Sequence, residues 1–372
     1  MRRVFSPIAV DVGSHAIKLL QVAWANQELR VVAAQSVPAA GQPAEPAWGG
    51  YAPVWDVAAM RRALNSGGFA GRRAALVLPD RAMRAKNLRL PHMPEAEMAA
   101  AVRFEAAERF GGLQDEDETR FIPVGTVRSG RDEQHEVVAL VADGQATRRY
   151  LLALGDLGLT AVSVDAPLCA AFRPFRRFLQ RQDDAEQANA FIDIGFGGSR
   201  LVVARGPSIA FVKSFEAGGA LWNQRLVEAL GESCVDAAAA AKLRQAVQKG
   251  EWKGADATRV AECLAPSVDQ LGKEIGLCLR YYAVTFRGAR PDSVTCIGGE
   301  SNNAWLLTRL SDAVGLPVRA AFPFRTVAVP EACSFLNEAG GIVWTVALGA
   351  AMGEAASPDE RHVPGLVVSG VA

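Results

Sequence analysis

The sequence has no excess of either charge. Among its 372 residues, Lys+Arg and Asp+Glu each number 40, so the formal net charge is zero. Proteins that bind nucleic acid or an anionic membrane through bulk charge carry a surplus of lysine and arginine. The composition therefore argues against both kinds of partner and leaves only a local basic patch open.

Cysteine and histidine are few and follow no pattern. None of the six cysteines stands in a CxxC spacing, and most are surrounded by apolar residues. The four histidines, His15, His92, His135 and His362, are scattered along the chain. Because zinc sites and disulfide frameworks use regular spacings, we expect reduced core cysteines in a cytosolic protein and no zinc-type site. No Ser/His/Asp or Cys/His arrangement for nucleophilic catalysis stands out either.

The sequence also lacks a long apolar run. Behind the basic N-terminus, the first apolar stretch is interrupted by Asp11 and Gly13, which argues against a signal peptide. The most apolar segment, residues 340–353, is too short and too rich in Gly and Ala to span a bilayer. Residues 356–372 contain Pro and Gly without a basic face, so we expect a disordered tail rather than a membrane anchor. The prediction is a soluble protein without direct membrane insertion.

The most informative feature is a hairpin motif that occurs twice. Residues 8–22 read as an apolar run to Asp11, a turn at Gly13 and a second apolar run. The same pattern returns 182 positions later (193 minus 11) in residues 191–204, around Asp193. Such turns present backbone N–H groups to phosphate oxygens, and an Asp at a strand end can hold Mg²⁺ through water. Two matching copies therefore predict a phosphate site between two similar halves.

The remaining patterns predict alternating strands and helices. Strands are expected at 29–34, 74–79, 81–90, 124–127, 136–141, 160–165 and 293–299, and helices at 54–66, 95–109, 145–157, 222–230, 235–248, 257–284, 302–314 and 341–352. Pro266 marks a potential break in the longest helix, and the acidic run 114–118 is expected to be a solvated loop. Gly298-Gly299 follows a strand, where it would let backbone approach a flat ligand such as adenine or ribose.

Taken in order, these motifs resemble those of the actin/Hsp70/sugar-kinase superfamily, and in particular the PilM family of type IV pilus assembly proteins. Residues 9–20 resemble the phosphate-1 hairpin of that family, 191–195 its phosphate-2 strand, 216–219 its next Gly-Gly and 297–299 its adenosine segment. Shorter similarities lie at 88–91, 101–105, 162–167, 315–318, 323–324 and 347–350. The resemblance covers residues 6 to 355 in an unchanged order.

The resemblance implies an α/β, actin-like (ribonuclease H-like) two-lobed fold with duplicated βββαβα cores. It places the first lobe at residues 1–80 and 151–185, with a small α+β subdomain inserted at 81–150. The second lobe would comprise residues 186–355, with a helical insertion near 232–285, ahead of the tail at 356–372.

The resemblance also implies an ATP site with Mg²⁺, in a protein that hydrolyses ATP weakly or not at all. Asp11 and Asp193 would hold the metal. Asp165 is the candidate catalytic residue, positioning a hydrolytic water, although an Asp there could instead cap a helix. The residues that would bind the nucleotide are Asp11, Gly13, Ser14, Lys18, Asp193, Gly195, Gly198, Ser199, Gly218, Gly219, Asn223, Lys242, Gly298 and Gly299.

The family's partner follows from the same resemblance. Its members lie at the cytoplasmic face of the inner membrane and bind the N-terminal peptide of the membrane protein PilN, in a groove between the first lobe and the inserted subdomain. This implies a PilN-like partner and an inner-membrane assembly complex of a type IV pilus, or of a type II secretion machine with a GspL-like protein. Whether the chain also forms a homo-oligomer is left open.

The chain departs from the family at three places. Ala239 stands where the family has the Glu of Ala-Glu-x-x-Lys, Asn223 stands where a Thr is expected, and residues 109–112 replace an aromatic-Ile-Pro-Phe stretch. Three alternative functions stay open at this point. They are a small-molecule (sugar-type) kinase of the same superfamily, which needs a base beside the acceptor hydroxyl, a scaffold that has lost nucleotide binding, and an FtsA-like relative with a C-terminal membrane helix.

Overall fold

The computed structural model describes residues 4–25, 28–40, 48, 50–53, 55–129, 132–181, 187–248, 255–286, 289–337 and 339–353. The tail predicted at 356–372 lies outside these residues. The described residues form two compact units. The first comprises the described parts of Met1–Leu179, Pro207–Val212 and Pro323–Ala372, and the second those of Gln180–Gly206 and Lys213–Phe322.

Strands and helices alternate much as the sequence predicts. The strands are β1 Val4–Phe5, β2 Ile8–Val12, β3 Ala16–Ala25, β4 Glu28–Pro38, β5 Arg73–Val77, β6 Met83–Pro91, β7 Glu118–Ser129, β8 Asp132–Ala142, β9 Thr160–Asp165, β10 Ala188–Ile194, β11 Ser199–Arg205, β12 Ser208–Phe215, β13 Val294–Ile297 and β14 Val318–Ala320. The helices are α1 Val57–Ser66, α2 Glu95–Phe110, α3 Gly144–Asp156, α4 Pro167–Arg176, α5 Gly219–Leu230, α6 Ala237–Gln248, α7 Ala255–Thr285, α8 Ala304–Val314 and α9 Thr345–Gly353.

The first unit is built on a sheet in the order β4-β3-β2-β5-β9, with β1 also paired to β3. Strands β2, β3 and β4 are antiparallel neighbours, whereas β2, β5 and β9 are parallel. Every residue of β2 is buried, because apolar side chains cover both faces of the sheet. Ile8 and Val10 pack with α1 and α3 on one face, and Ala9 packs with α9 on the other.

The sheet of the second hairpin repeats this plan. Its order is β12-β11-β10-β13-β14, in which the first three strands are antiparallel and the last three are parallel. In both sheets the Asp of the repeated motif is the penultimate residue of a central strand, Asp11 in β2 and Asp193 in β10. The duplicated core predicted from the two hairpins is therefore confirmed.

A separate three-stranded antiparallel sheet, β6-β8-β7, follows β5 in the chain. Helix α2 packs on it through Met98, Val102 and Ala106, which recur every four residues and form one apolar face. These elements lie within the segment 81–150 for which an α+β insertion is expected. The exact domain bounds given above stay a prediction.

Two local expectations were wrong. Helix α7 continues through Pro266, whose ring is solvent-exposed, because the helix packs against α5 and α8 on its other sides. The acidic run 114–118 is not simply solvated. Asp117 is only 3% exposed and accepts hydrogen bonds from Trp48 Nε1 and from the backbone N–H groups of Gln114 and Gly144.

No single helix among the described residues is long and apolar enough to cross a membrane. One bent pair, Glu331–Asn337 with Gly340–Gly353, meets the length and composition requirement at an angle of 98°.

Candidate functional site

The first hairpin joins β2 to β3 and places Asp11 opposite Lys18. Lys18 Nζ lies 3.3 Å from Asp11 Oδ2, so the acid is paired with a cation of its own hairpin. Gly13 is required in the turn, because a Cβ there would come within 2.8 Å of the Ala16 carbonyl oxygen. Ser14 is exposed at the tip. The structure therefore brings these four predicted residues to one end of the first sheet.

The second hairpin carries an equivalent pair. Asp193 of β10 lies opposite Arg200 of β11, and Arg200 Nη2 is 2.7 Å from Asp193 Oδ2. Sequence reasoning missed Arg200. The signal was available, because Arg200 follows Lys18 by the same 182 positions (200 minus 18) that separate the two aspartates.

The other oxygen of Asp193 faces Gly298, which follows β13. Gly298 has a φ of +94°, and a Cβ at this position would lie 2.3 Å from Asp193 Oδ1. Only glycine fits this combination of conformation and contact. Burial, together with the nearby negative charge of Asp193, raises the pKa of the Cys296 thiol beneath this pair. The predicted Gly298 is thus essential for the packing around Asp193.

The predicted glycines Gly195, Gly198, Gly218 and Gly219 seat the start of α5 on the second hairpin. A Cβ on Gly218 would lie 2.6 Å from the Gly195 carbonyl oxygen and 2.7 Å from the Gly198 nitrogen. The Gly219 N–H donates to the Gly195 carbonyl oxygen at 3.1 Å. Ser199 is buried, and its Oγ donates to the Ala217 carbonyl oxygen at 2.5 Å. The Gly219 N–H and the Ser199 hydroxyl already donate to backbone carbonyl oxygens, so their role in this structure is to hold the start of α5 against the second hairpin.

An ion pair lies beside Gly219. Arg244 Nη1 of α6 is 2.5 Å from Glu300 Oε2, and Arg244 Nε donates to Asn223 Oδ1 at 2.7 Å. A Cβ on Gly219 would touch both charged side chains. Lys242, the basic residue predicted on α6, is exposed instead, and residues two positions apart on an α-helix face different sides of it. Arg244 is therefore the α6 residue that reaches Asn223.

The same ion pair lines a cavity of ≈ 280 Å³ within the second unit. Its walls are mainly apolar and include Trp222, Val260, Leu264 and Trp305 from α5, α7 and α8. Trp222 is 2% exposed, and its Nε1–H has no hydrogen-bond acceptor among the described residues. A buried indole N–H without an acceptor costs free energy, and a ligand whose acceptor reached this N–H would recover it.

The cavity has the size and chemistry for a nucleobase. Ligand pockets usually enclose about 300–1,000 Å³, so this one suits a single ring system rather than a whole nucleotide. A purine offers flat faces for the two tryptophans and ring nitrogens that accept from an indole N–H. Gly299 has open space where its Cβ would be, so its backbone is accessible beside Glu300. An adenosine moiety therefore fits the residues present.

Mg²⁺ does not fit Asp193 in the same way. Its carboxylate already has Arg200 on one oxygen and Gly298 on the other. No cluster of three or more His, Cys, Asp or Glu side chains that could hold a metal ion occurs in the described ranges.

Asp165, at the end of β9, is engaged by Arg173. Arg173 donates from Nη1 to Asp165 Oδ2 at 2.6 Å and from Nη2 to Oδ1 at 3.2 Å, and it also donates to the Gly349 carbonyl oxygen. Burial lowers the pKa of Arg173, but the Asp165 carboxylate outweighs it and raises the pKa above the usual value. The alternative that Asp165 caps a helix is wrong, because α4 begins after Ala166 without a side-chain cap.

Comparison with known proteins identifies one family over nearly the whole chain. The model of the type IV pilus assembly protein PilM family matches residues 9–355. None of the curated proteins compared with the chain matches it significantly.

Among solved structures, a PilM-PilN type IV pilus biogenesis complex is similar at 23% identity and a TM-score of 0.76, covering 95% of this chain and 99% of that one. The ethanolamine utilization protein EutJ from Carboxydothermus hydrogenoformans is 13% identical with a TM-score of 0.49, over 95% of this chain and 90% of that one. MreB 5 of Spiroplasma citri bound to AMPPNP is 11% identical with a TM-score of 0.48, over 95% and 96%. The similarity to the PilM-PilN complex shows a shared fold.

Proposed function

The chain belongs to the PilM family of type IV pilus assembly proteins, and from this premise we propose that it is an actin-like, ATP-binding scaffold that docks the N-terminal segment of a PilN-like inner-membrane protein. The observation that carries the proposal is the family match over residues 9–355, which includes both hairpins and the Gly298-Gly299 segment. The scaffold would work at the cytoplasmic face of the inner membrane, held there by its partner rather than by a helix of its own.

The nucleotide part of the proposal rests on the second unit. We place the adenine base in the cavity beside Trp222, with the ribose near Gly299 and the Arg244–Glu300 pair. Gly219 lies against both that pair and Phe196 of the second hairpin, so the phosphates of the same nucleotide would extend toward the hairpin. Binding of this kind would stabilise one arrangement of the second unit.

Hydrolysis and kinase activity are not favoured. A base that activates water or a substrate hydroxyl needs an accessible carboxylate. Both oxygens of Asp165 accept hydrogen bonds from the buried Arg173. We therefore propose that ATP is a ligand that is bound with little or no turnover, and that the chain is not a sugar-type kinase.

The partner part of the proposal concerns the first unit. In this chain the sheet β6-β8-β7 and α2 form the segment where the family's peptide groove is expected, and α2 presents Phe104 with 71% of its surface exposed. Aromatic side chains often act as anchors at protein interfaces, so Phe104 is the residue of α2 to test for a role in docking. The observed similarity to a PilM-PilN complex supports a PilN-like partner.

The nucleotide proposal is tested by filling the cavity. Ala261 of α7 lines the cavity, so Ala261→Phe should occupy the space of the base, whereas Ala265→Phe on the same helix does not line it and serves as the control. ATP at 100 times its Kd should stabilise the wild type and the control by about 2.7 kcal/mol, seen as a raised Tm. No ATP-induced shift in the wild type, or an equal shift in Ala261→Phe, would contradict the proposal.

The docking proposal is tested with a synthetic peptide that carries the N-terminal sequence of a PilN-like protein from the same organism. Titration calorimetry should show saturable binding, and Phe104→Ala should weaken it by about tenfold or more, as for an aromatic anchor. Phe178→Ala removes a similarly exposed ring outside α2 and should leave the affinity unchanged. No binding by the wild type would contradict the proposed partner, and equal effects of both substitutions would contradict the proposed surface.

A further inference from the structure

Asp193 is enclosed on both of its carboxylate oxygens. The Arg200 guanidinium lies 2.7 Å from Oδ2, and the Gly298 backbone is packed against Oδ1. The side chains of Asp193 and Arg200 are only 9% and 14% exposed. The pair is fixed by the β10–β11 register and by the left-handed backbone of Gly298, rather than by a mobile surface contact.

This environment is unsuitable for a hydrated divalent cation. Mg²⁺ keeps most of its water shell, and those waters must donate hydrogen bonds to free carboxylate oxygens. Arg200 would have to leave Asp193 to make room, and a guanidinium cannot lose its charge to escape burial. Separating a buried ion pair in this way is strongly unfavourable.

The electrostatic consequence concerns the phosphates. An ionised carboxylate beside a polyphosphate repels it unless a cation stands between them, and that cation is normally the metal ion. In this chain the guanidinium already neutralises the carboxylate. We propose that Arg200 takes the place of a divalent cation beside Asp193, so that the chain binds ATP equally well with and without Mg²⁺.

The proposal rests on the ATP binding proposed above and concerns only the second hairpin. Lys18 in the first hairpin is a flexible point charge at 3.3 Å from Asp11, and among the described glycines none with a left-handed backbone packs against that acid. Arg200 is therefore the residue on which metal independence depends.

The experiment measures the Kd for ATP by calorimetry in EDTA and in excess MgCl₂. For the wild type the two values should agree within about threefold. Arg200→Met exposes the Asp193 charge to the phosphates, so binding in EDTA should weaken by about tenfold or more relative to Mg²⁺. Arg225→Met removes a cation from an exposed pair on α5 and should behave as the wild type. The double substitution Asp193→Asn with Arg200→Met removes both charges and should again bind without metal.

The experiment distinguishes a failure of the metal independence from a failure of the nucleotide proposal. Binding by the wild type that is tenfold weaker in EDTA would overturn the metal independence while leaving the nucleotide proposal intact. The absence of ATP binding in both buffers would overturn the nucleotide proposal and this inference with it. If Arg200→Met does not fold, as circular dichroism would show, the wild type and the double variant decide, because a metal requirement in either contradicts the role of Arg200.

Discussion

Asp11 and Asp193 occupy equivalent positions in two copies of one hairpin, each opposite a basic residue seven positions later. The basic residue is a lysine at 3.3 Å in the first copy and an arginine at 2.7 Å in the second. The two predicted serines stand at different places in the hairpins. Ser14 is exposed in the first turn, whereas Ser199 begins β11, is buried and donates to the Ala217 carbonyl oxygen. Both acid side chains are 9% exposed, but only in the second hairpin do a closer basic residue and the Gly298 backbone enclose the acid among the described residues.

The two copies show that one backbone motif can hold its acid loosely in one hairpin and tightly in the other. In the second copy a neighbouring segment, with Gly298 in a left-handed conformation, closes the free side of the acid. A lysine can leave its partner at small cost because its stem is flexible, whereas a buried arginine is held by geometry as well as charge. We therefore expect the second hairpin to be the more rigid and the more sensitive to substitution.

The largest effect is expected from the basic residues themselves. Arg200→Ala leaves the buried Asp193 carboxylate unpaired, which should lower the free energy of unfolding by about 3–5 kcal/mol. Lys18→Ala should cost less, about 1–2 kcal/mol, because the Lys18 ammonium is a flexible point charge that lies farther from its acid, at 3.3 Å, although both acid side chains are 9% exposed. Urea denaturation of both variants measures the two losses in the free energy of unfolding. Equal losses would show that the two pairs are energetically alike and would remove the basis of the comparison.

A smaller effect is expected from the glycines. Gly298→Ala combines a left-handed φ of +94° with a Cβ 2.3 Å from Asp193 Oδ1, so it should cost about 2–3 kcal/mol. Gly13 has no left-handed backbone; a Cβ there would meet the Ala16 carbonyl oxygen at 2.8 Å and Lys18 Nζ at 3.5 Å, so Gly13→Ala should cost about 1 kcal/mol. Thermal unfolding would measure both, and a tolerated Gly298→Ala would mean that Asp193 is less tightly enclosed than the geometry indicates.

The smallest effect is expected from the serines. Ser199→Ala removes a buried donor from the Ala217 carbonyl oxygen and should lower the free energy of unfolding by about 1 kcal/mol. Ser14→Ala changes an exposed side chain and should stay within about 0.5 kcal/mol of the wild type. The same denaturation series checks this pair. A larger loss for Ser14→Ala than for Ser199→Ala would contradict the exposed position of Ser14 and the buried hydrogen bond of Ser199.

The fold was largely accessible from the sequence, because the repeated Asp-x-Gly hairpin and the alternation of apolar runs are local patterns. Pro266 was harder, since its tolerance depends on the helices that pack around α7. Asp117 was missed because a charge run does not reveal that one carboxylate turns inward to accept three hydrogen bonds.

The site was harder to predict from the sequence than the fold. The resemblance indicated the glycines and the two aspartates, but it does not show which basic side chain reaches which acid. The repeat predicts Arg200, because Arg200 lies 182 positions after Lys18 (200 minus 18). The Arg244–Glu300 pair cannot be predicted in this way, since it requires knowing that α6 and the segment after β13 meet beside Gly219. That the Trp222 N–H lacks a hydrogen-bond acceptor can be recognised only when the side chains around it are known.

The central claim is that the second unit binds adenine nucleotide while Arg200 keeps metal away from Asp193. The most direct test is a crystal structure of the chain grown with ATP and MnCl₂, with anomalous data collected at the manganese edge. The account predicts a base in the cavity beside Trp222 and no anomalous peak that contacts Asp193 directly or through one water. An empty cavity, or a manganese peak beside Asp193 with Arg200 turned away, would contradict it.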